Sequence, residues 1–139
     1  MYQRVLVPLD GSRVAESILP FIEQIAGPLD MEVLLVRVVP LTSLDILREL
    51  DAQGYLEPLV ASLKAKAVRA GARVRIGDPA TEIVAAAKEI NADLIAMTTH
   101  GRTGLGRLLF GSVAEAVLRG SPIPVFLLRT SEAALASAA

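Results

Sequence analysis

Five short apolar runs alternate with segments of helical periodicity, and this alternation limits the fold of the 139-residue chain more than any other feature. The runs span residues 4–9, 31–39, 72–76, 93–98 and 124–129. Strands that alternate with helices predict an α/β fold with a parallel sheet, right-handed crossovers and helices on both faces. The length fits one domain over residues 1–139, with an Ala- and Ser-rich flexible tail at 130–139.

Glycine, proline and serine residues set the predicted limits of the first helices. The first helix begins after Ser12 as N-cap, and the pair Gly27–Pro28 ends it. A short helix within residues 41–55 is expected to break at Gly54. The helix that follows is expected to end at Gly71, in the position of a C-terminal glycine cap.

The third strand and the helix after it carry more specific signals. Arg73 and Arg75 occupy alternate positions of the strand, which predicts that one face is wet, as at a sheet edge. Asp78 followed by Pro79 gives the next helix an N-cap and a proline in its first turn.

Charge and composition exclude several classes of protein. The net charge is -1, with 14 basic and 15 acidic residues mixed along the chain, so the basic stripe of a nucleic-acid binder is missing. There is no cysteine, hence no disulfide and no thiolate nucleophile. A helix that spans a membrane needs about 20 apolar residues, and no apolar stretch of the sequence is that long. We therefore expect that the protein does not insert into a membrane and that it is cytoplasmic.

Residues 98–113 form a glycine-rich segment between the fourth strand and the last helix. Its glycines give the backbone freedom to approach a ligand closely; they are Gly101, Gly104, Gly106 and Gly111. Free amides and the helix dipole make a helix start an anion site, and the Ser112 hydroxyl adds a donor. The segment therefore predicts a phosphate site. Two other interpretations stay open: Ser112 to Glu115 matches a capping box, and loop glycines can simply form turns.

Asp10 ends the first strand and predicts a second part of the same site. In open α/β sheets, ligands bind outside the carboxyl ends of strands, where the strand order reverses. If the strand order is 3-2-1-4-5, the first and fourth strands are neighbours, and Asp10 and Gly101 would then face the same crevice. A carboxylate beside an anion cradle suits a ribose hydroxyl. Alternatively, Asp10 caps the helix that follows it.

The sequence argues against an efficient enzyme. His100 is the single histidine and lies in the glycine-rich segment, so the sequence does not indicate a Ser-His-Asp set. The three lysines are Lys64, Lys66 and Lys88, all on predicted helices away from the glycine-rich segment, where a P-loop needs one. The spacing of metal-ligating residues is also missing, although Mg²⁺ can arrive with bound phosphates. Slow hydrolysis or nucleotidyl transfer remains the less favoured alternative.

Over residues 2–129 the chain resembles the universal stress protein family. Residues 5–12 resemble the family's first strand and its Asp-containing turn. The ATP-binding members carry Gly-x2-Gly-x9-Gly-(Ser/Thr), and Gly101, Gly111 and Ser112 match the last three fixed positions. Thr98 replaces the first glycine and adds a Cβ and a methyl group where the backbone approaches the nucleoside.

The resemblance implies a five-stranded parallel sheet of order 3-2-1-4-5, as in Rossmann-like and adenine nucleotide alpha hydrolase-like folds. It implies a stress-response protein that binds ATP, ADP or AMP, with or without Mg²⁺, and forms homodimers through the fifth strand. By position, the residues flanking adenine and ribose are Pro8, Leu9, Asp10 and Val38. Those lining the nucleoside and first phosphates are Met97, Thr98, His100 and Gly101. Those holding the outer phosphates are Gly111, Ser112 and Val113, with Arg102 as a counter-charge.

Two features favour protein–protein contacts. Thr98 supports an alternative function, a homodimeric interaction module of the same fold that does not bind nucleotide. Residues 124–128 form a strongly apolar strand, and such a strand at a sheet edge is an aggregation hazard unless it is paired or covered. Antiparallel pairing with a second copy predicts a symmetric dimer.

Overall fold

The computed structural model describes residues 2–40, 46–100 and 111–130, which form one parallel sheet with helices on both faces. The strands are β1 (Arg4–Pro8), β2 (Glu32–Val39), β3 (Ala70–Ile76), β4 (Leu94–His100) and β5 (Val125–Thr130). Their order is β3-β2-β1-β4-β5, and every neighbouring pair is parallel, so the predicted order is confirmed. β5 extends to Thr130, the first residue of the expected tail, and the rest of that tail lies outside the described residues.

The helices divide between the two faces of the sheet. They are α1 (Arg13–Glu16), α2 (Leu19–Leu29), α3 (Ile46–Ala65), α4 (Pro79–Glu89) and α5 (Ser112–Gly120). One buried cluster joins the sheet to α2 and α3, and a second joins it to α4 and α5. Within the part of the chain that the structure describes, no helix is long and apolar enough to cross a membrane.

Alternation along β4 decides which face each side chain meets. Ala96 belongs to the cluster beneath α2 and α3, whereas Ile95 and Met97 belong to the cluster beneath α4 and α5. Successive side chains of a strand point to opposite faces. Thr98 therefore projects on the side of α2 and α3, and Thr99 projects on the side of α5.

The first predicted helix differs from the structure in two respects: it is divided into α1 and α2, and its end lies beyond the predicted one. α2 continues through Gly27–Pro28 and ends at Leu29, and its C-cap Asp30 has a left-handed φ of 52°. There the amide of Met31 donates to the carbonyl oxygen of Ala26 at 2.9 Å, which closes the helix in the manner of a Schellman motif. The closing hydrogen bond fixes the end of the helix, and the proline lies within its last turn.

The predicted break at Gly54 is wrong. α3 runs without interruption across Gly54 and Pro58, although both residues disfavour a helix interior. Leu56 and Leu63 on either side of Pro58 are fully buried against the sheet, and this packing overrides the local propensities. Residues 41–45, the first part of the predicted short helix, lie outside the described residues.

The predicted role of Gly71 as a helix end is also wrong. α3 ends earlier, and Ala67 takes the left-handed conformation with a φ of 62°. Gly71 lies within β3, where an added Cβ would stand 3.1 Å from Cδ2 of Leu34. The glycine therefore allows the edge strand β3 to pack closely beside β2.

The start of α4 follows the prediction. Asp78 is the N-cap, and one of its carboxylate oxygens accepts a hydrogen bond from the amide of Thr81 at 3.0 Å. The hydroxyl of Thr81 donates to the same oxygen at 2.8 Å. These two hydrogen bonds lower the pKa of Asp78. Pro79 is the first helical residue, and it lines the cavity described below.

Candidate functional site

A cavity of about 490 Å³ opens at the carboxyl ends of β1, β2 and β4. Parts of α1, α4 and α5 complete its walls. Nine of the residues predicted from the sequence line it: Pro8, Leu9, Asp10, Val38, Met97, Thr98, Gly111, Ser112 and Val113. The sheet thus brings together residues from both halves of the chain, because β1 and β4 are hydrogen-bonded neighbours.

The other three predicted residues lie partly or wholly outside the described residues. The backbone of His100 ends β4 and pairs with Thr130, but its side chain lies outside the described residues. Gly101 and Arg102 also lie outside them. The expected approach of Gly101 to Asp10 therefore stays a prediction, and so do the ligand contacts of the nine lining residues.

The first turn of α5 presents backbone donors to the cavity. Gly111 is the N-cap residue and offers no side chain to the first-turn amides. Its own amide donates to Oγ1 of Thr99 at 3.1 Å. No described residue accepts a hydrogen bond from the amides of Ser112, Val113 and Ala114. These amides and the helix dipole favour an anionic group at this end of the cavity.

The capping-box interpretation of this turn is wrong. Ser112 is the first residue of α5 and not its N-cap. The carboxylate of Glu115 accepts a hydrogen bond from the guanidinium of Arg119 at 2.6 Å, one turn along the helix. Ser112 and Glu115 therefore do not form a capping box.

Asp10 lies at the cavity and supports the turn after β1. One oxygen of its carboxylate accepts from the amide of Ser12 at 2.9 Å. Ser12 is the N-cap of α1, as predicted, and its hydroxyl oxygen accepts from the amide of Ala15 at 3.1 Å. Asp10 is therefore not the helix cap. Its second carboxylate oxygen makes no hydrogen bond to the residues that the structure describes.

Arg37 of β2 also lines the cavity, and the sequence analysis missed it. Its guanidinium lies 4.8 Å from the centroid of the Tyr55 ring, a cation–π contact. An added Cβ at Gly11, whose φ is 91°, would stand 3.3 Å from this guanidinium. No ion pair joins Arg37 to a carboxylate among the described residues. A charged residue inside an apolar strand, near its carboxyl end, is the signal that identifies it.

Tyr55, which contacts Arg37, is itself held by a hydrogen bond between two helices. Its hydroxyl donates to a carboxylate oxygen of Glu16 at 2.6 Å, which ties α3 to α1. Burial, followed by the hydrogen bond and the charge of Glu16, raises the pKa of Tyr55 well above its usual range. The phenol therefore keeps its proton and its hydrogen bond even well above neutral pH.

The cavity combines three kinds of wall. Val38, Met97 and Ile83 form an apolar part that suits a flat ring. Asp10 provides an acceptor for hydroxyl groups, and the start of α5 provides donors for an anion. A parallel α/β sheet with a cavity at its switch point places the chain in the Rossmann-like class of folds, in which ligands bind at that position.

The chain matches the universal stress protein family over residues 1–129. It belongs to that family. A universal stress protein of Methanocaldococcus jannaschii is 33% identical over 141 residues, which cover 93% of this chain and 83% of that protein.

Solved structures agree with this assignment. A member of the family from Burkholderia pseudomallei is similar with a TM-score of 0.72 and 28% identity, covering 91% of this chain and 96% of that one. A universal stress protein in complex with cAMP is similar with a TM-score of 0.72 and 26% identity, covering 94% of this chain and 98% of that one.

Proposed function

We propose that this chain is a non-catalytic regulatory protein of the stress response that binds an adenine nucleotide, with ATP as the first candidate. The observation that carries the proposal is that Asp10 and the first-turn amides of α5 line one cavity. The similar structure in complex with cAMP supports an adenine nucleotide as the ligand class. A cytoplasmic location is part of the same proposal.

The walls of the cavity suggest how the nucleotide is held. The base packs against Val38 and Met97, and a carboxylate oxygen of Asp10 accepts a hydrogen bond from the ribose. The amides of residues 112–114 and the Ser112 hydroxyl donate to phosphate oxygens. Mg²⁺ enters with the phosphates and keeps most of its waters.

Thr98, which replaces the first motif glycine, is compatible with this arrangement. Its side chain follows Ala96 on the face of α2 and α3, whereas the first turn of α5 lies on the other face. The threonine therefore narrows the cavity on the α1 side and leaves the space before the α5 amides open. This placement favours nucleotide binding over the alternative of an interaction module with an empty site.

The absence of catalysis is proposed from the positions of the lysines. Lys64 and Lys88 lie on α3 and α4, and neither lines the cavity. Lys66 pairs with Glu23 at 2.9 Å, on the face of α2 and α3. None of the three takes the place of a P-loop lysine at the start of α5.

ATP is expected to stabilise the folded chain. A ligand that binds only the native state adds about 2.7 kcal/mol at a hundredfold excess over its Kd, a rise of about 5–10 °C in Tm for a domain of this size. Thermal unfolding is measured with Mg-ATP and AMP, and with magnesium and inorganic triphosphate as the control. An unchanged Tm at millimolar Mg-ATP contradicts the proposal. Mass spectrometry of molecules released from the denatured purified protein identifies the natural ligand.

We also propose that two copies pair through β5. In the sheet order β5 is a terminal strand, with β4 on its only paired side among the described residues, and Phe126 is 37% exposed. Light scattering at micromolar concentration should give twice the chain mass of 14.7 kDa. Phe126→Glu should shift the protein to the monomer, whereas Leu29→Glu on the exposed side of α2 should not. A monomer mass for the unaltered chain refutes the pairing.

A further inference from the structure

Thr99 is a buried polar side chain at the base of the cavity. It is 4% exposed and is the only buried polar or charged residue in the described part of the chain. It lines the cavity from β4 and projects toward α5, one position beyond the predicted Thr98. A polar group buried in this way requires hydrogen-bond partners, because its desolvation is costly without them.

Its hydroxyl has one partner and one remaining donor. The oxygen accepts the hydrogen bond from the amide of Gly111. A threonine hydroxyl also carries one proton, and none of residues 2–40, 46–100 and 111–130 accepts it. Because the Gly111 amide occupies a lone pair, the proton points away from that amide. With respect to the described residues, the hydroxyl is therefore available as a donor, and a ligand atom that accepts a hydrogen bond suits it.

We propose that Thr99 recognises a phosphate of the bound nucleotide. Its oxygen accepts a hydrogen bond from the Gly111 amide and so positions the start of α5. Its hydroxyl group donates a hydrogen bond to a phosphate oxygen. This inference rests on the proposed nucleotide-binding function. A phosphate oxygen is the acceptor best suited to this place, since α5 favours negative charge there and a hydrogen bond to a charged acceptor is the stronger kind.

Three substitutions separate this role from a purely structural one. Thr99→Val keeps the shape and removes the hydroxyl, Thr99→Ala removes it with less bulk, and Thr99→Ser keeps it. Thr130→Val makes the same change on β5, outside the cavity lining. Calorimetry measures the affinity of each variant for ATP, AMP and adenosine, and thermal unfolding without ligand reports the stability of each fold.

The expected result is a selective loss of affinity for ligands that carry phosphate. Thr99→Val and Thr99→Ala should bind ATP and AMP about ten- to a hundredfold more weakly, with adenosine changed less than about threefold. Thr99→Ser and Thr130→Val should bind all three ligands as the unaltered protein does. If Thr99→Val does not fold, Thr99→Ala still allows the comparison between a variant without the hydroxyl and Thr99→Ser.

Two results overturn the inference. Unchanged ATP affinity in both hydroxyl-free variants removes Thr99 from recognition. An equal loss for ATP and adenosine, with a lower Tm, assigns it to the fold alone. Failure of the unaltered protein to bind any of the three ligands is a different result, because it refutes the proposed function itself.

Discussion

Replacing Gly111 with valine is expected to abolish ATP binding while the fold is retained. Gly111 has a φ of −59°, which valine adopts, and no heavy atom lies within 4 Å of an added Cβ among the described residues. The new side chain therefore costs little in the unliganded protein. It stands at the N-cap beside the α5 amides, where the phosphates bind in our proposal. We expect an affinity loss of at least about a hundredfold, or about 2.8 kcal/mol.

The matched control is Gly120→Val at the other end of the same helix. There an added Cβ would stand 3.8 Å from Cγ2 of Val84, an ordinary contact, and Gly120 does not line the cavity. Calorimetric titration with ATP and thermal unfolding are measured for both variants. Unaltered ATP affinity in Gly111→Val, with a normal Tm, would place the phosphates elsewhere.

Replacing Leu6 with alanine is expected to destabilise the fold by about 2–5 kcal/mol. Leu6 is fully buried at the centre of β1, between Leu34 of β2 and Ile95 of β4. Its side chain belongs to the cluster beneath α4 and α5. Substitution leaves a cavity there that the packed neighbours fill only partly, so both transfer free energy and contacts are lost.

Leu29→Ala on α2 provides the control for this change, because Leu29 is 62% exposed. Its free energy of unfolding should stay within about 0.5 kcal/mol of the unaltered value. Urea unfolding followed by circular dichroism measures both variants. Equal midpoints for Leu6→Ala and the unaltered chain would mean that the cluster beneath α4 and α5 is not packed as described.

The sheet order and the position of the candidate cavity were predictable from the sequence. Alternating strands and helices fix parallel pairing, and the family resemblance gives the order that brings Asp10 to the side of Gly111. The cap at Asp78 was predictable as well, because side-chain capping and a first-turn proline are local effects. The helix limit at Gly27 was not, because a closing hydrogen bond from Met31 to Ala26 sets the end of α2 beyond it. The limit at Gly54 was not, because the burial of Leu56 and Leu63 outweighs local preference.

Two of the cavity residues that the sequence analysis missed, Thr99 and Arg37, are defined by contacts between distant segments. Thr99 differs from Thr98 only in the face of the sheet that it meets, and its hydrogen bond to Gly111 spans the glycine-rich segment. Arg37 is identified by its contact with Tyr55 of α3 and by its closeness to Gly11 in the turn after β1. Strand alternation would have identified Thr99 once the side of α5 was known.

The β1–β4 pairing has a consequence for synthesis on the ribosome. Val5 and Leu6 pair with Leu94 and Ile95, so the middle of the sheet closes only after most of the polypeptide has been made. Closing so long a loop carries an entropic cost that later contacts must offset. A nascent chain therefore lacks the β4 and α5 walls of the cavity until these elements have left the exit tunnel. A nucleotide bound as we propose would meet only chains in which β4 and α5 have joined the sheet, and it would stabilise each of them against reopening.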